Sequence, residues 1–113
     1  MAKYVYVVQS NPVPGKEDQY NDWYRNVHLN DVLKVNGFTG AQLFRHRPVD
    51  GLPGPELRYM ALYDVDTDDL EATVAHNQHL ATETDEMPMT DAFDVTSVTR
   101  HYFEPITTKH QQR

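Results

Sequence analysis

Two segments of this chain are apolar on both of their alternating faces. In residues 3–9, KYVYVVQ, Tyr4, Tyr6 and Val8 oppose Val5 and Val7; in residues 57–65, LRYMALYDV, Tyr59, Ala61 and Tyr63 oppose Met60 and Leu62. Their β-branched and aromatic content makes both segments strands. An antiparallel sheet with one wet face alternates polar with apolar residues. A sheet built from these strands therefore needs cover on both sides, and a chain of 113 residues has room for only one compact domain.

Turn residues separate the remaining segments. Asn11-Pro12-Val13-Pro14-Gly15 stops the first strand. From Lys16, the spacing Tyr20, Trp23, Tyr24, Val27 predicts a helix, with Glu17 and Asp18 in its first turn. Leu29, Val32 and Leu33 do not continue that stripe. The first helix is therefore expected to end near His28, with Asn30 capping a short second helix that Gly37 closes. A strand over residues 38–47 and a Pro/Gly loop over 48–55 lead into the strand at 57–65. Residues 66–69 open a second long helix ending near Thr84, with Leu70, Val74, Asn77 and Ala81 on one face. An acidic Met/Pro loop and a last strand over 94–103 complete a single domain over residues 1–106, before a polar tail at 107–113.

The order β-α-β-β-α-β is the ferredoxin-like α+β arrangement, with helices on one face of an antiparallel sheet. The other face stays apolar. Two such sheets packed face to face bury each other and enclose a space, which makes a homodimer and a dimeric α+β barrel the expected architecture.

Composition narrows the partners. Seventeen acidic residues against ten Lys and Arg give a net charge of −7, which protonation of all six histidines would shrink to −1. No polybasic surface for nucleic acid or membrane is expected. With no cysteine, disulfides and thiolate chemistry are excluded. The N-terminal MAKYVYVV has neither the apolar stretch nor the cleavage site of a signal peptide, so a cytoplasmic location is expected.

The run Asn21-Asp22-Trp23-Tyr24-Arg25-Asn26-Val27-His28-Leu29-Asn30-Asp31-Val32-Leu33, followed by Gly37-Phe38 and Ala41, resembles the "WY…H…D…L…GF" run of EthD-like members of the dimeric α+β-barrel superfamily. The motif covers residues 21–41, and the likeness of element order spans Tyr4 to Phe103. The resemblance implies the dimeric barrel fold. It leaves function open among cofactor-free monooxygenases, polyketide cyclases, lyases, isomerases and haem-handling proteins.

His28 is the leading candidate for chemistry. A helix C-terminus favours its charged form and burial opposes it, so the ring is suited to acid–base work near neutral pH. Asp31, three residues on, is positioned to orient it; the plainer reading is that His28 caps carbonyls. Tyr20, Trp23 and Tyr24 read first as core, with Trp23 as a wall of any cavity. If Val5, Val7, Met60 and Leu62 face the helices, then Tyr6, Tyr59 and Tyr63 face the barrel interior together with Gln42, Phe44, Thr99 and His101. A one-residue register error inverts that whole assignment.

His76 and His79 form H-x-x-H, but the helical angle between them and the missing third ligand favour a solvated face over a metal site. Arg45, His46 and Arg47 make a small basic spot read as exposed. Residues 83–91 are placed to cover the barrel mouth, where their acidity would disfavour an anionic ligand. No G-x-G-x-x-G, Walker A or G-x-S-x-G run occurs.

The expected function is a cofactor-independent enzyme, with no metal, that moves protons on a small apolar or aromatic organic molecule as a lyase, isomerase or cyclase. In it His28 transfers the proton, Asp31 orients it, and Tyr59 or Tyr63 stabilises the oxyanion, with Tyr6, Trp23, Gln42, Phe44, Thr99 and His101 as substrate contacts. The alternatives are a ligand-binding or carrier dimer and a cofactor-free monooxygenase.

Overall fold

The computed structural model describes residues 2–113. Its elements are β1 (Ala2–Ser10), α1 (Glu17–Trp23), a π-helical turn (Tyr24–His28), α2 (Leu29–Val32), β2 (Phe38–Arg45), β3 (Tyr59–Thr67), α3 (Leu70–Thr82) and β4 (Thr99–Phe103). The ferredoxin-like order is the one expected. The sheet runs β2-β3-β1-β4, and each neighbouring pair is antiparallel. β1 and β2 therefore run parallel on either side of β3, joined by the crossover that contains α1 and α2.

Local chemistry sets the boundaries. The Asp69 carboxylate accepts the Ala72 N–H at 3.0 Å and caps α3. Gly37 takes φ +96° at the end of the first helical run. Its carbonyl accepts the Asp66 N–H at 2.7 Å, and a Cβ there would meet Thr73 Oγ1 at 3.1 Å and Thr67 Cβ at 3.2 Å. Both the backbone angle and the close approach require glycine.

Three expectations are corrected. The first helix does not end at His28: His28 and Leu29 keep right-handed helical angles, and the phase change is the π-turn. A π-turn adds one residue to a continuous helix, which shifts the apolar stripe without a break. Asn30 is consequently inside helix rather than a cap. The last strand begins at Thr99 instead of Asp94, because residues 94–98 form a turn in which Asp94 accepts bonds from Thr96 and Ser97.

The third correction concerns the sheet. Tyr6, Val8 and Ser10 of β1 and Tyr59, Ala61, Tyr63 and Val65 of β3 are buried on the face covered by the helices. The face of Val5, Val7, Met60 and Leu62 has no helix on it, and Phe44 and Phe103 are exposed there. Both sets are apolar, so apolar alternation alone could not choose between them. The polar residues could: Lys3, Gln9, Asp64 and Asp66 share the parity of Val5, Val7, Met60 and Leu62, and their charges and amides belong on the open side.

The core between helices and sheet is aromatic. Tyr20, with no exposed surface, packs its ring 4.9 Å from Tyr59 and 5.1 Å from Tyr24. Trp23 meets Phe93 at 5.8 Å, and Tyr6 stacks on Tyr102 at 4.2 Å. α3 offers no such side chains: its one buried residue is Thr73. Residues 104–113 are exposed and carry no helix or strand, and no helix among the described residues is long and apolar enough to cross a membrane.

Candidate functional site

The mismatch between a bulky α1 and a slender α3 leaves a cavity of about 530 Å³ between the helices and the sheet, within the range of small-molecule sites. Tyr6, Tyr63, Arg100 and Tyr102 form its floor, Trp23, Tyr24 and His28 one wall, Val74, Asn77 and Ala81 the other, and Met87, Met89 and Phe93 its end. No carboxylate lines it.

His28 closes the π-turn, and that extra residue brings its ring onto Trp23. The two rings stack at 4.2 Å with planes 16° apart, while Tyr24 meets the imidazole edge-on at 5.4 Å. Nδ1 of His28 is buried without a hydrogen-bond partner. Burial pushes the imidazole pKa down to about 4, against a smaller upward pull from Asp31 and with a further downward push from Arg100. The ring is therefore neutral at pH 7, and it is neither a carbonyl cap nor a helix-end cation.

The sequence candidates separate into four groups. His28, Tyr6, Tyr63 and Trp23 meet at the cavity. Asp31 stands apart: its carboxylate lies 3.3 Å from Lys34 Nζ and makes no hydrogen bond to Nδ1 of His28, so ring stacking on Trp23 holds the imidazole instead. Tyr59 is buried under α1 and does not line this cavity; its hydroxyl, like that of Tyr63, is buried without a partner. Gln42, Phe44, Thr99 and His101 occupy the open face, opposite the tyrosines, since Gln42 pairs with Leu62, Phe44 with Met60 and His101 with Val7.

Burial raises the Tyr63 phenol far above its ordinary range and lifts Tyr102 to about 12. Both remain hydrogen-bond donors at any working pH. Asn77 of α3 donates to the Tyr102 hydroxyl at 3.2 Å, tying helix to floor. Arg100, Asn77 and Tyr102 were not singled out from sequence; Arg100 and Tyr102 alternate with Thr99 and His101, so the parity error that misplaced the latter pair also hid the former.

The loop after α3 does cover the cavity end. The Trp23 indole N–H donates to the Pro88 carbonyl at 3.0 Å, and Met87 is buried beneath it. Two of its four carboxylates have lysine partners: Lys34 pairs with Glu86 at 2.8 Å and Lys16 with Asp91 at 3.1 Å. His79 meets Glu83 at 2.9 Å on the exposed side of α3. Nδ1 of His76 accepts the Asn36 N–H at 2.9 Å, which gives His76 a structural bond to the turn after α2.

No protein-family model matches the chain, and no curated protein matches it. Among solved structures, the chain is similar to the haem-degrading protein MhuD of Mycobacterium tuberculosis with two haems in its active site, at 19% identity over 95% of this chain and 99% of that one, with a TM-score of 0.62. It is also similar to an EthD family protein from Bacillus halodurans, at 14% identity over 94% and 100% of the two chains and TM-score 0.51. A third is a candidate antibiotic biosynthesis monooxygenase from Bordetella bronchiseptica, at 16% identity over 95% and 100% and TM-score 0.55. These likenesses show the ferredoxin-like α+β fold, which the chain shares with these proteins.

The depressed His28 pKa has a thermodynamic consequence. Protonating a buried neutral imidazole favours the unfolded chain, so its contribution to stability is full above 6.5, the unfolded value, and declines as pH falls toward about 4. The whole decline amounts to at most about 3 kcal/mol. Chemical denaturation across this window should show His28→Gln losing less stability than wild type on acidification. Equal slopes for the two proteins would mean that His28 is solvated and titrates normally.

Proposed function

We propose that this protein is a cofactor-independent enzyme that abstracts a proton from a small, largely planar organic molecule held between the tyrosine floor and Trp23. The observation that carries this reading is the neutral His28 ring, stacked on Trp23 at 4.2 Å and lining an acid-free cavity. A neutral imidazole accepts protons. With Nδ1 sealed from solvent, Nε2 is the nitrogen left for a ligand, and it is basic in the tautomer that carries the proton on Nδ1.

The step balances simply. A C–H or O–H bond of the substrate breaks, its proton goes to Nε2, and the electron pair stays on the substrate as an enolate or phenolate. The unpartnered Tyr63 hydroxyl donates to that oxygen. Negative charge forming beside the ring raises the imidazole's affinity for the proton, which offsets its low resting pKa. Returning the proton to another atom completes an isomerisation or cyclisation, and expelling a leaving group completes a lyase reaction. Tyr6 and Trp23 serve as the flat contacts, consistent with a fold whose MhuD representative holds haems.

A second reading is favoured by the monooxygenase named among the structural neighbours: the same carbanion would instead react with dioxygen. The two share the His28 step and differ in oxygen uptake. Ketonisation of the enol of benzoylacetone, followed by absorbance, tests the proton transfer, while an oxygen electrode reads the second path. Wild type should accelerate the reaction and His28→Gln should lose about 100-fold or more, with the chain still folded. Binding without acceleration, unchanged in His28→Gln, would establish the carrier alternative and remove the enzymatic one.

The same proposal includes a homodimer. Val5, Val7, Met60 and Leu62 form an apolar sheet face with no helix over it, and Gln42, Phe44, Thr99 and His101 lie on that face as contacts to a second copy rather than to substrate. Sedimentation equilibrium should give twice the 13.1 kDa chain mass, and Leu62→Lys should return the chain to monomer. A wild-type monomer at micromolar concentration would contradict this.

A further inference from the structure

Half of the ten lysines and arginines are already matched. Lys3, Lys16, Arg25, Lys34 and Arg58 each reach a carboxylate. Arg100 does not: among the described residues it has no ion-pair partner, and it is the one charged side chain lining the large cavity while His28 is neutral. Strand register puts it there. Arg100 lies opposite Val8 on β1, and Tyr102, two residues on, lies opposite Tyr6, so both project toward the helices. The guanidinium is near enough to make itself felt on both His28 and Tyr6.

A guanidinium at the edge of an apolar chamber favours one class of occupant. Its planar fork matches a carboxylate through two parallel hydrogen bonds, and Arg100, itself exposed, presents that fork at the rim of the cavity rather than in its depth. Beside it, the Tyr6 and Tyr102 rings stack on each other at 4.2 Å, which gives this end of the cavity an aromatic lining. The chain as a whole carries −7, so an acid-free chamber holding one unmatched cation departs from the general charge of the protein.

We infer that Arg100 is the specificity-determining residue of this cavity and that the ligand is an aromatic acid, its ring between Trp23 and the Tyr6–Tyr102 pair and its anionic group on the guanidinium. The inference rests on the cavity being the binding site. It goes further by fixing the charge of what enters, and it gives Arg100 a role in holding the substrate that is separate from the proton transfer at His28.

The test uses two fluorescent probes of similar size: the anionic 8-anilinonaphthalene-1-sulfonate and the uncharged N-phenyl-1-naphthylamine. Trp23 is the only tryptophan, so energy transfer from it reports probe bound to the protein, and the Arg100 and Arg45 variants tell the cavity from other surfaces. Wild type should bind the sulfonate about tenfold more tightly than the neutral probe. Arg100→Gln should abolish that preference by weakening the sulfonate alone, whereas Arg45→Gln, outside the cavity, should change neither. An unchanged preference in Arg100→Gln, or an equal loss in Arg45→Gln, would overturn the inference and leave the cavity intact as a site. Absence of energy transfer to either probe would instead overturn the cavity reading itself, and this inference with it.

Discussion

The spacing between helices and sheet depends on an imbalance of side-chain size. On one side Tyr20, Trp23 and Tyr24 press against Tyr59, Tyr63 and Phe93, and interlocking rings fill the space. On the other side α3 brings Val74, Asn77 and Ala81 against Tyr6 and Tyr102, and these cannot reach far enough to fill theirs. Close packing is the norm in protein interiors, so a chamber of about 530 Å³ in a domain of this size reflects what α3 lacks. The Asn77 bond to Tyr102 and the loop anchored through Trp23 keep that chamber from collapsing.

The π-turn is the second element on which the site depends. In an uninterrupted α-helix a stripe set by Tyr20 and Tyr24 would continue to His28, and the ring would lie directly along the core. One added residue rotates the downstream part of the helix, so that Trp23 and His28 come face to face while Val32 remains buried. Such turns are rare and concentrate at functional sites. Here the consequence is electrostatic: an imidazole sealed against an indole, without a partner on Nδ1, is held neutral at a pH where a solvated one would be half charged.

The element order, both long helices and the covering loop were all legible in the sequence, because they follow from periodicity, turn residues and the 21–41 motif. The phase break after Val27 was legible too, but a chain ending one helix and a chain inserting a π-turn shift the stripe alike. The sheet faces failed for a different reason. Val5 and Val7 are as apolar as their neighbours Tyr6 and Val8, and only the sparse polar positions, Lys3, Gln9, Asp64 and Asp66, distinguish the open side. That one inversion accounts for misplacing Gln42, Phe44, Thr99 and His101 and for overlooking Arg100.

A crystal structure of the protein grown with 2-naphthoate tests the central claim, that ligands enter beneath the helices against the tyrosine face. The account predicts electron density for the ring system between Trp23 and the Tyr6–Tyr102 pair. Naphthoate found on the Val5, Val7, Met60 and Leu62 side, with the chamber under α3 holding only solvent, would contradict it.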